Sequence, residues 1–222
     1  MAVPLDSSAA RLELAAAEAE LMLQRERVAE LRRALPPEPC DDYIFLEGEQ
    51  NLAAGGDVHI ERSLTSLFGG PDRTLIVMHF MFGGAHGGAC PMCTAWADGY
   101  TAIQDHLRDR VDFAIVVGGD LEQFRALARR RGWQNTRLLS AEGSTFKTDL
   151  GSEDIEGNQS PAVSAFTLDP SGRPQHRYTG GAHIGGDHWR GLDLLSPLWH
   201  FLDLTPEGRG DWMPQLDYDA DA

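Results

Sequence analysis

The chain has 222 residues, of which 42% are hydrophobic and 24% charged. At roughly 100 to 200 residues per domain this is one large domain or one domain with appendages, and the composition excludes wholesale disorder. Nineteen Lys and Arg against 34 Asp and Glu give a formal charge of -15, so the mean field repels phosphate backbones and anionic lipid, and neither nucleic acid nor membrane is an expected partner.

No basic segment followed by an apolar one is readable near residue 1, and Leu75 to Phe82, the longest apolar run, falls well short of the ~20 residues that cross a bilayer. A cytoplasmic location is the expectation. Three cysteines, Cys40, Cys90 and Cys93, are too few for a disulfide framework, and two of them form a C-x-x-C, which in a reducing compartment points to redox or metal chemistry.

From Ser8 to Leu35 the residues Leu14, Leu21, Val28, Leu31 and Leu35 share one helical face. The spacing predicts a long amphipathic helix, stopped by Pro36 and Pro37. Its apolar face is expected to pack on its own chain or, in a homodimer, on a second copy. Tyr43 to Leu46 and Val58 to Glu61 read as short strands, closing an N-terminal extension over 1–62, and Ser63 to Phe68 reads as a helical turn.

A main domain is expected over 63–210. Arg73 to Phe80 is a nearly continuous apolar run rich in β-branched residues, as in a strand covered on both faces. A glycine-rich loop, Gly83 to Gly88, delivers Cys90-Pro91-Met92-Cys93 to the start of a helix running to about Asp109. A strand at Asp112 to Val117, a helix at Leu121 to Arg131 and a strand at Arg137 to Ser140 complete a parallel-sheet pattern. Residues 141 to 160 read as a polar insertion. Ala162 to Leu168 and Gln175 to Tyr178 flank Asp169-Pro170-Ser171-Gly172 as a hairpin, a last helix spans Leu192 to Leu202, and 211–222 is an acidic tail expected to fray.

A β-α-β unit with a dithiol at its helix N-terminus, followed by a hairpin and a helix, resembles the thioredoxin order of elements. The expected class is therefore α/β, a central mixed sheet with flanking helices and an N-terminal helical extension. Unpaired N–H groups and the positive end of the helix dipole stabilise a thiolate at the first cysteine, so Cys90 is expected to attack. Cys93, one turn on, is expected to resolve the mixed disulfide. Pro91 occupies the first turn, where its missing N–H costs nothing. In thioredoxin folds a cis-proline before the hairpin faces the dithiol, and Ser160-Pro161 stands at that place, so Pro161 is a third candidate active-site residue, expected to be cis and to help clamp an extended substrate.

The stretches LTSLFGG, LIVMHFMFGG, CPMC with TAWADGY after it, RRRGW, EGSTFKTDLG, RGLDLL and FLDLTPEGRG resemble a bacterial thioredoxin-like family described as predicted dithiol-disulfide oxidoreductases of unassigned function. The resemblance covers about residues 8 to 212. It implies the fold and the dithiol pair but no substrate. The chain departs from the family pattern at His86, in a glycine run before the dithiol, and at His183 and His188 in AHIGGDHW.

Two functions from different classes follow. The first is thiol-disulfide exchange at Cys90 and Cys93 with a protein or small-molecule thiol or disulfide, requiring no cofactor. The second is a copper or zinc protein, a carrier or a metalloenzyme, with ligands from Cys90, Cys93, His86 and His183, since two thiolates and imidazoles make a soft site. His79, at the end of the strand feeding the dithiol loop, is read equally as a buried neutral histidine or a functional one. Asp98 reads as a helix-surface carboxylate or a proton acceptor.

Overall fold

The computed structural model describes residues 7–53, 59–182, 195–206 and 210–218. The first helix, α1 (Ser7–Ala34), runs for 28 residues without a break. Ala, Glu, Leu and Arg supply its helix propensity, and Arg32 and Arg33 complement the negative end of its dipole. Pro36 and Pro37 cannot continue it. Met1–Pro36 is one compact unit and Pro37–Ala222 the other.

The second unit runs β1 (Glu38–Pro39), β2 (Ile44–Glu47), β3 (Ile60–Ser63), β4 (Thr74–His79), α2 (Pro91–Ala102), α3 (Gln104–Arg110), β5 (Val111–Val117), α4 (Leu121–Arg131), β6 (Arg137–Ser140), α5 (Phe146–Asp149), β7 (Ala162–Leu168), β8 (Pro174–Gly181) and α6 (Pro197–Leu202). All its described strands join one sheet in the order β1-β8-β7-β4-β5-β6-β2-β3. The sheet runs across the boundary expected after residue 62. β2 pairs antiparallel with both β3 and β6, so residues after Pro37 complete the main sheet instead of forming an extension.

β4, β5 and β6 are parallel, joined by the crossovers through α2–α3 and α4, and β7 and β8 add an antiparallel hairpin beside β4. The apolar run of β4 divides by parity, because successive side chains of a strand point to opposite faces. Met78 and Phe80 pack with Ile115, Val117, Trp96 and Phe124 under α2 and α4. Leu75 and Val77 pack with Ala114, Val116, Phe146 and Phe166 on the other face.

Two further expectations change. Residues 141 to 160 are not a polar appendage: Phe146, Lys147 and Ser152 are buried, and Phe146 stacks edge-on against Phe45 and Tyr43. The acidic tail is tied down at Leu216, whose carbonyl accepts from Arg131 Nη1 at 2.8 Å. No described helix is long and apolar enough to cross a membrane.

Candidate active site

The chain leaving β4 stays on the sheet for one more residue, with Phe80 N–H donating to Val116 O at 2.8 Å. Gly83 N–H then donates to Gly87 O at 2.7 Å around a 3-10 turn, Gly84–His86, and Cys90 N–H returns to Met81 O at 3.3 Å. The loop thus doubles back and sets Cys90 beside Met81 at the carboxyl end of β4. Gln159 pins this path from the other side, accepting from Phe82 N–H at 3.1 Å and donating to Gly83 O at 3.2 Å.

Cys90 is the N-cap of α2, with extended backbone (φ -72, ψ 123), and Pro91 opens the helix. Its Sγ accepts from Cys93 N–H at 3.4 Å, taking the place that a serine or aspartate oxygen fills in an ordinary cap. The Cys90 thiol is pulled down from 9.0 to about 6, first by a hydrogen bond from the Cys93 thiol, then by the N–H groups of Cys93 and Met92, against the cost of partial burial. Cys93 is fully buried and pushed well above its ordinary value. Burial is the main cause, followed by the hydrogen bond and charge of Cys90; the backbone at Met81 and the Lys147 charge oppose the shift. Cys90 is the sulfur equipped to be a thiolate, and Cys93 is the one that holds its proton.

Pro161 immediately precedes β7. The register His79↔Ala162 sets it beside the chain leaving β4. Its peptide bond, however, is trans, and no cis peptide occurs among the described residues. The trans form suits the entry into β7 because the flanking backbone is satisfied internally. Ser160 N–H donates to Ser152 O at 2.9 Å and Pro161 O accepts from Ala182 N–H at 3.1 Å. The expected cis-proline clamp is therefore corrected.

Among the described residues the histidines do not assemble around the dithiol. His79 has the parity of Leu75 and Val77, so it points to the face opposite Met78 and Phe80. There it is fully buried, bonded to Ser152 Oγ at 2.7 Å and Ser164 Oγ at 2.8 Å, and stacked on Phe146 at 5.1 Å. Burial holds it neutral, with its pKa well below the ordinary range. His86 is exposed on its 3-10 turn. His183 and His188 lie outside the described residues, and among those described no three His, Cys, Asp or Glu side chains gather as a metal site. Cys40 sits at the β1 edge with its thiol pushed up to about 11 by burial, which leaves it a poor nucleophile. Asp98 accepts from Arg131 Nε at 3.2 Å and Trp133 Nε1 at 2.7 Å, clasping α2 to the end of α4.

Two residues that sequence reasoning passed over, Lys147 and Gln159, reach the dithiol neighbourhood from the stretch read as an insertion. The signal available was Phe146, an aromatic set among polar residues in EGSTFKTDLG.

A central β4-α2-β5 unit carrying a dithiol at its helix start, with an antiparallel hairpin beside β4, defines a thioredoxin-like protein. The chain belongs to the family described as "Bacterial protein of unknown function (DUF899)", whose model matches residues 6–219. No curated protein matches the sequence. Among solved structures it is similar to Plasmodium vivax 2-Cys peroxiredoxin in its reduced form, at 12% identity and a TM-score of 0.48 over 73% of this chain and 95% of that one. Enterococcus faecalis AhpC is similar at 13% identity and a TM-score of 0.47, over 81% and 99%. The Xanthomonas campestris bacterioferritin comigratory protein is similar at 11% identity and a TM-score of 0.43, over 62% and 85%.

Proposed function

We propose that the protein is a dithiol-disulfide oxidoreductase acting on small disulfides or thiols through Cys90 and Cys93. The observation that carries this reading is the Cys90 Sγ at the N-cap of α2, accepting the Cys93 N–H at 3.4 Å. The Cys93 thiol and the N–H groups at that position favour an anionic first sulfur near neutral pH, with the second sulfur one helical turn away.

In the exchange the Cys90 thiolate attacks one sulfur of R–S–S–R′. The S–S bond breaks, R′S⁻ leaves and takes a proton from water, and Cys90 is joined to R. Cys93 then gives its proton to water and attacks Cys90 Sγ. The bond from Cys90 to R breaks, and RS⁻ leaves and takes up a proton from water. The dithiol has lost two electrons and the substrate disulfide has become two thiols, with no cofactor required. A small partner is supported by the backbone around Pro161, whose N–H and carbonyl neighbours are already bonded within the chain. An extended polypeptide finds no free groups to pair with at those two positions.

The test is mass spectrometry of the reduced protein after reaction with glutathione disulfide, beside metal analysis of protein purified without chelator. Wild type is expected to gain a Cys90–Cys93 disulfide, Cys93→Ser to accumulate the glutathione adduct on Cys90, and Cys90→Ser to do neither. Full turnover in Cys93→Ser, or stoichiometric copper or zinc held through dialysis, overturns the reading.

A further inference from the structure

One face of α1 is apolar and open to solvent. Leu14, Leu21 and Leu31 are 58, 55 and 60% exposed, and Leu35, just past the helix end, is 43% exposed. A run of exposed leucines along one helix marks an interaction surface. Its spacing is that of a coiled-coil seam. Leu14, Leu21, Val28 and Leu35 recur every seven residues, and Ala17, Gln24 and Leu31 each follow three residues after one of them. The two rows therefore alternate at intervals of three and four over three heptads, as the core positions of a coiled coil do. Leu12, Met22 and Leu23, also exposed, lie off this seam.

The charges beside the seam decide what fits on it. Glu13, Glu20 and Arg27 line one side, and Arg11, Glu18, Arg25 and Arg32 the other. With a second copy of α1 laid parallel, Glu13 faces the second copy's Glu18 and Arg27 faces its Arg32, and only Glu20 with Arg25 joins opposite charges. Laid antiparallel, with Leu14 in one layer with the second copy's Leu31, the balance reverses. Glu20 then faces the second copy's Arg27 and Glu18 faces its Arg25, each pair occurring twice by symmetry, and only Arg11 with Arg32 is repulsive. The same register sets Ala17 opposite Val28, a small side chain against a branched one, and puts the two Gln24 side chains in the layers on either side of the two-fold axis. Sliding the copies by one heptad in one direction sets Glu18 on Glu18 and Glu20 on Glu20. In the other direction it sets Arg25 on Arg25 and Arg27 on Arg27.

We infer that α1 is the dimerisation element of this protein, pairing antiparallel with α1 of a second copy through Leu14, Ala17, Leu21, Gln24, Val28 and Leu31. Burial of the leucines drives the association, and the Glu20–Arg27 and Glu18–Arg25 pairs select its direction and register, as flanking charges do in coiled coils. The dimer stands apart from the dithiol exchange, which needs no second copy.

Sedimentation equilibrium of the full chain under reducing conditions tests this. Wild type is expected to be a dimer at micromolar concentration. Leu21→Glu should raise the dissociation constant about a hundredfold or more, since each dimer loses a buried leucine at two places. Glu20→Arg and Arg27→Glu should each weaken the dimer about tenfold, and the double variant should return to within about threefold of wild type. Alkylation of Cys90 at the wild-type rate in each variant shows that the unit from Pro37 onward keeps its fold. A wild-type monomer at every concentration overturns the inference, as does a dimer that Leu21→Glu leaves intact. Tighter association of Arg27→Glu overturns the antiparallel direction, because in a parallel pair that substitution sets opposite charges at 27 and 32.

Discussion

The amide nitrogen of Cys93 lies 3.4 Å from the sulfur of Cys90, so the residue expected to attack also caps the helix, by accepting from the residue expected to resolve the mixed disulfide. Oxidation of the pair replaces that capping interaction with a covalent bond. The two sulfurs are chemically unequal in the reduced protein because one faces the helix N–H groups and the other is sealed in the core.

The inequality is measurable by alkylation. Only the thiolate reacts with iodoacetamide, so the Cys90 rate should rise as pH passes about 6 and level off above it. Cys93 should remain unlabelled across the same range. Peptide mapping after timed labelling checks this. Equal labelling of the two cysteines, or a Cys90 midpoint near 9.0, would contradict the cap geometry.

Lys147 makes a second pH-dependent quantity available. Its amine releases its proton at about 8 in the folded chain and near 10.5 when unfolded. Between those values the unfolded state holds more protons, so stability conferred by position 147 rises with pH. Denaturant unfolding of wild type against Lys147→Met should therefore shift in favour of wild type by about 2 to 3 kcal/mol from pH 8 to 10.5. A difference that is flat with pH would show that the amine is solvated.

Asp98 joins α2 to α4 by accepting from Arg131 and Trp133. Asp98→Ala should cost about 1 to 3 kcal/mol, since a buried indole N–H and a guanidinium lose their acceptor together. Alkylation of Cys90 should keep its pH midpoint, because Asp98 is not among the groups that shift it. A moved midpoint would instead make Asp98 part of the proton chemistry.

Gly83 carries a φ of 73°, and a Cβ there would fall 2.8 Å from the Gly119 Cα. Backbone meets backbone at this point, so no side chain can swing away. Gly83→Ala is expected to destabilise by about 1 to 3 kcal/mol and to speed proteolysis between Phe82 and Cys90. Thermal unfolding and limited digestion read both effects, and unchanged values would mean the loop can re-route.

The helices and strands with a strong period were legible in the residues themselves. α4 over Leu121–Arg131, β6 over Arg137–Ser140 and β7 over Ala162–Leu168 fall where the pattern placed them. Periodicity and capping are local properties, fixed by neighbours a few residues away. The same is true of the activation of Cys90, which depends first on the thiol three residues on and then on its place at a helix start. What the sequence could not reveal was which distant segments share a face. The parity of β4 sends His79 away from the dithiol, yet the ring's partners, Ser152 and Ser164, lie 73 and 85 residues along the chain. The strands expected at Tyr43 to Leu46 and Val58 to Glu61 were read as an extension because β6, the partner of β2, lies far along the chain. Lys147 reaches Phe80 across 67 residues, and nothing in a short polar stretch announces a buried amine. The sequence by itself determined the elements and the reactive sulfur. Only the order of strands in the sheet, which brings remote backbone groups within hydrogen-bond range, decided which distant side chains support the loop that carries it.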